Sequence, residues 1–178
     1  MIEPVDLGVC QGYEYAGDPE RTAVALPGAM LTGMPALWHA IEPLLADEWR
    51  VVLVWDQFLD RTQGRLGLDA RPGRGGREVR GRGAPAKSLT TRAAGLAADH
   101  GWSAVWLMPL LAEPESLACL RRRTAPALLV GGTADASWDG SVARQLSGDV
   151  VEIDGADHGL ARIDQAPLVA AAVAEFSG

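Results

Sequence analysis

Apolar runs and amphipathic stretches alternate along most of this chain. Short apolar runs at Thr22–Leu26, Arg50–Asp56 and Ser103–Pro109 predict strands that are covered on both faces. Ala127–Val130 and Val150–Ile153 follow the same pattern. The stretches between these runs place apolar residues at helical spacing. The alternation predicts an α/β fold with a doubly wound, mostly parallel sheet and helices on both of its faces.

Outside the buried runs, local signals predict further elements. Leu7–Tyr15 predicts an antiparallel edge strand, and Gly17–Glu20 predicts a turn. Pro43 lies inside an amphipathic stretch and predicts a kinked helix. Gly101 is expected to end a second helix, and Asp164 is a candidate N-cap of the last one.

One stretch does not follow the alternation. Arg61–Gly83 carries seven arginines, seven glycines and two acidic residues, so its net charge is +5. It lacks an apolar run, although the predicted architecture requires a helix and a central strand at this point. It is interpreted as a flexible surface insertion, as a segment abnormal for its fold (for example one read in a shifted frame), or as an Arg/Gly tract that contacts nucleic acid.

Composition and charge limit the kind of protein. A chain of 178 residues, 48% of them apolar, is expected to form one domain, residues 1–178. The net charge of −7 argues against nucleic acid as a partner of the whole chain. Cys10 and Cys119 lack metal-site spacing and are interpreted as free thiols. The sequence shows no signal peptide, and its longest apolar run is too short to cross a bilayer. We therefore expect a cytoplasmic protein with no membrane partner.

Two polar side chains follow predicted strand ends, and a serine upstream completes an order that has chemical meaning. Ser88 opens a helical stretch, Asp135 follows the strand that ends in Gly131-Gly132, and His158 lies in the loop after the last strand. A serine hydroxyl is a weak nucleophile until a neutral imidazole takes its proton, and a carboxylate must hold that imidazole in the right tautomer. The pattern predicts a Ser-His-Asp triad.

Each of the three residues also has a simpler interpretation. Ser88 could serve only as a helix N-cap, and Asp135 only as a turn residue or cap. Asp139 is a second candidate acid, although it is better explained as the cap of the next helix. His158 could be a solvated loop residue. The remaining histidines are interpreted as surface residues or as residues facing a helix dipole: His39 and His100.

A triad also needs backbone N–H groups aimed at the negative charge that develops during reaction. Leu89 follows the candidate nucleophile and would supply one of them. Ala29 or Met30 would supply the second from the loop after Pro27-Gly28, where glycine permits the required turn. The alternative is an ordinary Pro-Gly loop.

Four segments carry a resemblance to a known family: AKSLTT, AVWLMPLL, LLVGGTADASWD and EIDGADHGL. They resemble the small lidless bacterial α/β-hydrolases, over roughly Ser88–Leu160 and more weakly over Thr22–Asp56. The resemblance implies hydrolysis of a small carboxylic ester or similar acyl bond through an acyl-enzyme, with no metal or organic cofactor. It makes Ser88 the nucleophile, Asp135 the acid and His158 the base. Ala29 and Leu89 become the oxyanion-hole residues.

The same resemblance implies a shallow acyl pocket, because no lid of obvious size is present. Its candidate walls are Met30, Trp55, Phe58, Met108 and Trp138. The chain departs from the family at Thr90, where glycine is usual, and at Arg61–Gly83. Two alternatives stay open: a catalytically silent domain of the same fold that binds a ligand or partner, and an RNA-associated protein that uses the Arg/Gly tract. The residues do not indicate an oligomeric state.

Overall fold

The computed structural model describes residues 1–6, 11–28, 34–54 and 83–178. The strands in these ranges are β1 (Ile2–Asp6), β2 (Gln11–Tyr15), β3 (Asp18–Ala25), β4 (Trp49–Val54), β5 (Gly83–Lys87), β6 (Ser103–Leu107), β7 (Ala127–Gly132) and β8 (Asp149–Ile153). The α-helices are α1 (Met34–Ala46), α2 (Ala94–His100), α3 (Pro114–Arg122), α4 (Gly140–Leu146) and α5 (Ala166–Ser177). A 3₁₀ turn over Ser88–Ala93 leads into α2.

All of the described strands belong to one sheet, in the order β1-β2-β4-β3-β5-β6-β7-β8. β2 pairs antiparallel with both β1 and β4. Every other neighbouring pair, from β4–β3 through to β7–β8, is parallel. The predicted mostly parallel α/β sheet is confirmed.

The two faces of the sheet are covered by different helices. In β6, Val105 and Leu107 pack with α1 and α5 on one face, whereas Ala104 and Trp106 pack with α2, α3 and α4 on the other. Successive side chains of a strand point to opposite faces, so a strand buried on both sides must be apolar throughout. This is why β6 and β7 could be predicted from continuous apolar runs.

The N-terminal region differs from the prediction. In place of one edge strand over Leu7–Tyr15, β1 and β2 form an antiparallel pair, with Ile2 opposite Tyr15. β1 contains Pro4 and is mostly exposed, so it carries no apolar run to reveal it. The turn predicted at Gly17–Glu20 is wrong for Asp18–Glu20, which are part of β3.

The central strand that the architecture requires is present as β5, which begins at Gly83, the last residue of the Arg/Gly tract. β5 runs in register with β6 from Gly83 opposite Ser103 to Lys87 opposite Leu107. Against β3, β5 pairs only at Ala23–Gly83 and through a bridge from Leu26 to Ala86. Pro85 lies between these two points and has no N–H to donate. The rest of the predicted irregular segment, residues 61–82, lies outside the described residues.

The helix boundaries test three predictions. Gly101 ends α2 with a left-handed φ of 64°, as predicted. Asp139 caps α4 by accepting from the N–H groups of Ser141 and Val142, also as predicted. The prediction for Asp164 is wrong, because Gln165 occupies the N-cap position of α5 and Asp164 pairs with Arg162. None of the helices in the described ranges has the length and apolar character needed to cross a membrane.

Close packing at the end of β7 yields a stability prediction. A Cβ at Gly132 would lie 2.2 Å from the carbonyl oxygen of Ala156 and 2.6 Å from its Cβ. We expect Gly132→Ala to lower the free energy of unfolding by about 1–3 kcal/mol, because backbone must shift to accept the methyl group. The measurement is urea unfolding followed by circular dichroism.

Gly148→Ala is the matched control, since a Cβ at Gly148 would meet nothing within 4 Å. Its free energy of unfolding should stay within about 0.5 kcal/mol of the wild-type value. Equal effects of the two substitutions would contradict the close approach of β7 to the loop after β8.

Candidate active site

Ser88 lies on the sharp turn between β5 and the 3₁₀ segment. β5 ends at Lys87, and Ser88 has a φ of +54°, in the left-handed region that residues other than glycine rarely adopt. Such a conformation costs roughly 1–3 kcal/mol and persists only where the surroundings impose it. The turn leaves the Ser88 side chain partly exposed at the carboxyl edge of the sheet.

Thr90 holds this turn in place. Its side chain is completely buried, and its hydroxyl oxygen accepts from the backbone N–H of Lys87 at 2.9 Å. The same hydroxyl lies within donating distance of two carbonyl oxygens, that of Lys87 at 2.8 Å and that of Leu26 at 3.2 Å. The threonine that departs from the usual glycine therefore links the turn to the end of β3.

Asp135 lies in the turn that follows β7, with 7% of its surface exposed. Its Oδ1 accepts from the backbone N–H of Ser137 at 2.8 Å and from the Ser137 hydroxyl at 2.7 Å. Burial alone would raise the pKa of Asp135, but the hydrogen bonds from Ser137 and His158 outweigh it and hold the pKa below its usual value. The side chain is therefore a carboxylate at neutral pH.

His158 joins the other two side chains. Its Nε2 lies 2.7 Å from Ser88 Oγ, and its Nδ1 lies 2.7 Å from Asp135 Oδ2. With the Nδ1 proton donated to the carboxylate, Nε2 is the basic nitrogen and faces the serine hydroxyl. The His158 side chain is 43% exposed, so this end of the arrangement is open to solvent.

The structure thus brings together the three side chains that the sequence analysis selected. Asp139, the second candidate acid, instead caps α4. His39 and His100 lie away from this arrangement, in α1 and at the end of α2, where His100 stacks on Trp102.

The predicted oxyanion-hole residues are only partly described. Leu89 follows Ser88 directly and is half-buried. Ala29 and Met30 lie outside the described residues, but Gly28, just before them, lies against the turn. A Cβ at Gly28 would be 3.3 Å from the carbonyl oxygen of Lys87 and 3.7 Å from Ser88 Cβ. The loop after β3 therefore approaches the candidate nucleophile.

Two of the predicted pocket walls have other surroundings. Met108 is fully buried in the core that α1 and α5 share with the sheet. Trp138 covers Gly131, where a Cβ would meet its ring at 2.0 Å, and donates from Nε1 to Glu152. The other candidate walls lie outside the described residues: Met30, Trp55 and Phe58.

Two residues near the site were missed by the sequence analysis. Ser137 contacts both members of the Asp135–His158 pair, since its hydroxyl donates to Asp135 Oδ1 and its Oγ also lies 3.2 Å from His158 Nδ1. Its position two residues after Asp135 is the spacing of a side-chain-to-backbone turn, which is a usable signal. Lys87 is 3% exposed and donates from Nζ to the carbonyl oxygen of His158 at 2.8 Å. No local pattern indicates that contact, because 71 positions separate the two residues.

Metal-ligating residues and cysteines add little to this site. In residues 1–6, 11–28, 34–54 and 83–178 no three His, Cys, Asp or Glu side chains are grouped so that they could hold a metal ion. Cys119 is a free, half-buried thiol, and Cys10 lies outside the described residues.

Comparison with known proteins finds similarity at the level of structure and not of sequence. No family model matches the sequence, and no curated protein matches it either. A serine hydrolase without a lid from Xanthomonas campestris superposes with a TM-score of 0.70 at 15% identity, over 99% of this chain and 94% of that one.

Two further solved structures superpose on this chain over nearly its whole length. An esterase domain from Rhodothermus marinus gives a TM-score of 0.69 at 14% identity, over 99% of this chain and 97% of that one. A serine hydrolase homologue from Coxiella burnetii gives 0.66 at 16% identity, over 96% of both chains. The chain therefore has the fold of the α/β serine hydrolases, as the sequence resemblance predicted.

Proposed function

We propose that this protein is a serine hydrolase that cleaves a small carboxylic ester or similar acyl bond through an acyl-enzyme. The observation that carries the proposal is the continuous chain of hydrogen bonds from Ser88 through His158 to Asp135, with both links 2.7 Å long. The fold supports it, because the similar solved structures include serine hydrolases and esterases.

In the proposed reaction, Ser88 Oγ attacks the acyl carbon while its proton passes to His158 Nε2. The carboxylate of Asp135 stabilises the imidazolium that forms and does not itself take the proton. His158 then gives the proton to the leaving alcohol, and the acyl group stays on Ser88. A water molecule, deprotonated by His158, attacks the acyl-enzyme. The bond between Ser88 Oγ and the acyl carbon then breaks, His158 returns the proton to Ser88 Oγ, and the carboxylic acid is released.

The negative charge of each tetrahedral intermediate needs donors near the carbonyl oxygen. We assign this role to the backbone N–H groups of Leu89 and Ala29. The close approach of Gly28 to Ser88 supports the assignment, since Ala29 is the next residue along that loop.

Removal of any one triad side chain should abolish most of the activity. Ser88→Ala, Asp135→Asn and His158→Ala are each expected to lower kcat by about a thousandfold or more, because the three groups act as a unit. The measurement is hydrolysis of short-chain p-nitrophenyl esters by the purified variants.

Asp139→Asn is the matched control for Asp135→Asn. It removes the charge of the α4 cap, keeps an oxygen that can accept from Ser141 and Val142, and leaves the carboxylate beside His158 in place. Its kcat should equal that of the wild type. A loss of less than tenfold in Ser88→Ala, or equal losses in the two aspartate variants, would contradict the assignment.

A fluorophosphonate probe tests the nucleophile without a known substrate. The wild type should form an adduct on Ser88, located by mass spectrometry, and Ser88→Ala should form none. A folded wild-type protein that forms no adduct would favour the catalytically silent domain of the same fold.

The pH dependence tests for a general base other than Asp135. Because the pKa of Asp135 is held below its usual value, its carboxylate stays ionised well into the acid range and should contribute no pH dependence near neutrality. A general base accepts the serine proton only in its unprotonated form, so we expect kcat/KM to rise with pH on the acid side of the optimum. The measurement is the pH profile of p-nitrophenyl ester hydrolysis by the wild type, and a profile with no such rise would contradict general-base catalysis.

Ser137→Ala should reduce the support for the Asp135 carboxylate without removing the carboxylate. The substitution deletes the hydroxyl that donates to Asp135 Oδ1 and leaves the backbone N–H of residue 137 as a donor. We expect kcat to fall by roughly tenfold, about the effect of one hydrogen bond to a charged group. Ser141→Ala, which deletes the equivalent hydroxyl beside Asp139, should leave kcat unchanged. Equal rates in both variants would assign Ser137 a purely structural role.

A further inference from the structure

Lys87 is unusual in both its location and its chemistry. It is the only lysine of the chain, beside fifteen arginines, and it is almost fully buried at the end of β5. Burying an ammonium group is costly unless the group is well bonded. Burial accordingly lowers the pKa of Lys87, although the charges of Asp135 and Asp157 act in the opposite direction. A buried lysine next to a candidate nucleophile calls for an explanation.

The side chain of Lys87 reaches the residue that carries the base. Its Nζ donates to the backbone carbonyl oxygen of His158 at 2.8 Å. At its other end, Lys87 is fixed by its own backbone N–H, which lies 3.2 Å from the carbonyl oxygen of Leu26 and 2.9 Å from Thr90 Oγ1. The lysine is therefore anchored in the sheet and extends across to the histidine loop.

We propose that Lys87 is a positioning residue that holds the backbone of His158 at the distance from Ser88 that proton transfer requires. The inference rests on the proposed function. Lys87 and Ser88 are consecutive, so a bond from the lysine to His158 fixes the loop relative to the nucleophile itself. The 2.7 Å link between Ser88 Oγ and His158 Nε2 depends on that fixed spacing.

The structure separates this role from two others. Lys87 Nζ bonds a backbone carbonyl oxygen and not the reacting side chains, so it is not a catalytic residue. Removing it also has two opposing effects on stability, because the desolvation cost of the ammonium group and its hydrogen bond are lost together. The consequence of its removal is therefore expected in the rate and not in the stability of the fold.

The test compares Lys87→Met with the wild type. Methionine has a similar length and no N–H donor, so the bond to His158 is lost while the volume is retained. We expect kcat and the rate of fluorophosphonate labelling to fall by about 10- to 100-fold, with KM little changed and the melting temperature close to wild type. Lys87→Arg, which keeps a donor, should recover part of the labelling rate.

A spectroscopic readout makes the test independent of turnover. The Nδ1 proton of a histidine bonded to a carboxylate resonates at unusually low field in proton NMR. The wild type should show this resonance for His158, and Lys87→Met should lose or broaden it because the loop is no longer fixed. Arg162→Met is the matched control: Arg162 is an exposed base four residues beyond His158, pairs with Asp164, and should affect neither rate nor resonance.

The outcomes distinguish the positioning role from the proposed function. A wild-type protein that labels at Ser88, together with a Lys87→Met variant that labels as fast and keeps the resonance, would overturn the role of Lys87 alone. A wild type that does not label would overturn the hydrolase proposal, and the resonance would still decide whether Lys87 fixes His158. Should Lys87→Met not fold, Lys87→Leu, which also lacks an N–H donor, gives the same comparison.

Discussion

Parallel pairing of β5, β6, β7 and β8 brings the carboxyl ends of these strands to one edge of the sheet. Ser88 follows β5, Asp135 follows β7 and His158 follows β8, so the register of the ladder sets their spacing before any side chain interacts. Short hydrogen bonds then complete the arrangement. Side-chain contacts such as Ser137 with Asp135 refine positions that backbone pairing has already determined.

The fold could be predicted where local sequence and burial agree. β6 and β7 are covered on both faces, and their continuous apolar runs identified them. β5 could not be found in this way, because its sequence GAPAK is short and contains a proline. Its place in the sheet is imposed by pairing with β6, which is a tertiary effect. β1 was missed for a related reason, since an exposed edge strand needs few apolar residues.

The candidate site was predictable from the order of its residues and, for Asp135 and His158, from their position after predicted strands. Ser88, Asp135 and His158 were selected by their order and position, and the structure brings them within hydrogen-bonding distance. The contact of Lys87 with the carbonyl oxygen of His158 was not predictable, because it depends on the packing of two distant segments. Thr90 was regarded as a departure from a family pattern, whereas its buried hydroxyl bonds the turn it occupies.

Pro85 has a consequence for how the sheet is divided. Pairing of β3 with β5 is restricted to Ala23–Gly83 and the bridge from Leu26 to Ala86, which leaves a sparsely paired seam between these two strands. The serine, histidine and aspartate all lie on one side of the seam, and the loop through Gly28 lies on the other. Leu26 spans this seam, because its N–H donates to the carbonyl oxygen of Pro85 and its own carbonyl oxygen accepts from Lys87 N–H and lies within reach of the Thr90 hydroxyl. The position of Gly28 relative to Ser88 is therefore set by the bonds of a single neighbouring residue and not by an extended ladder.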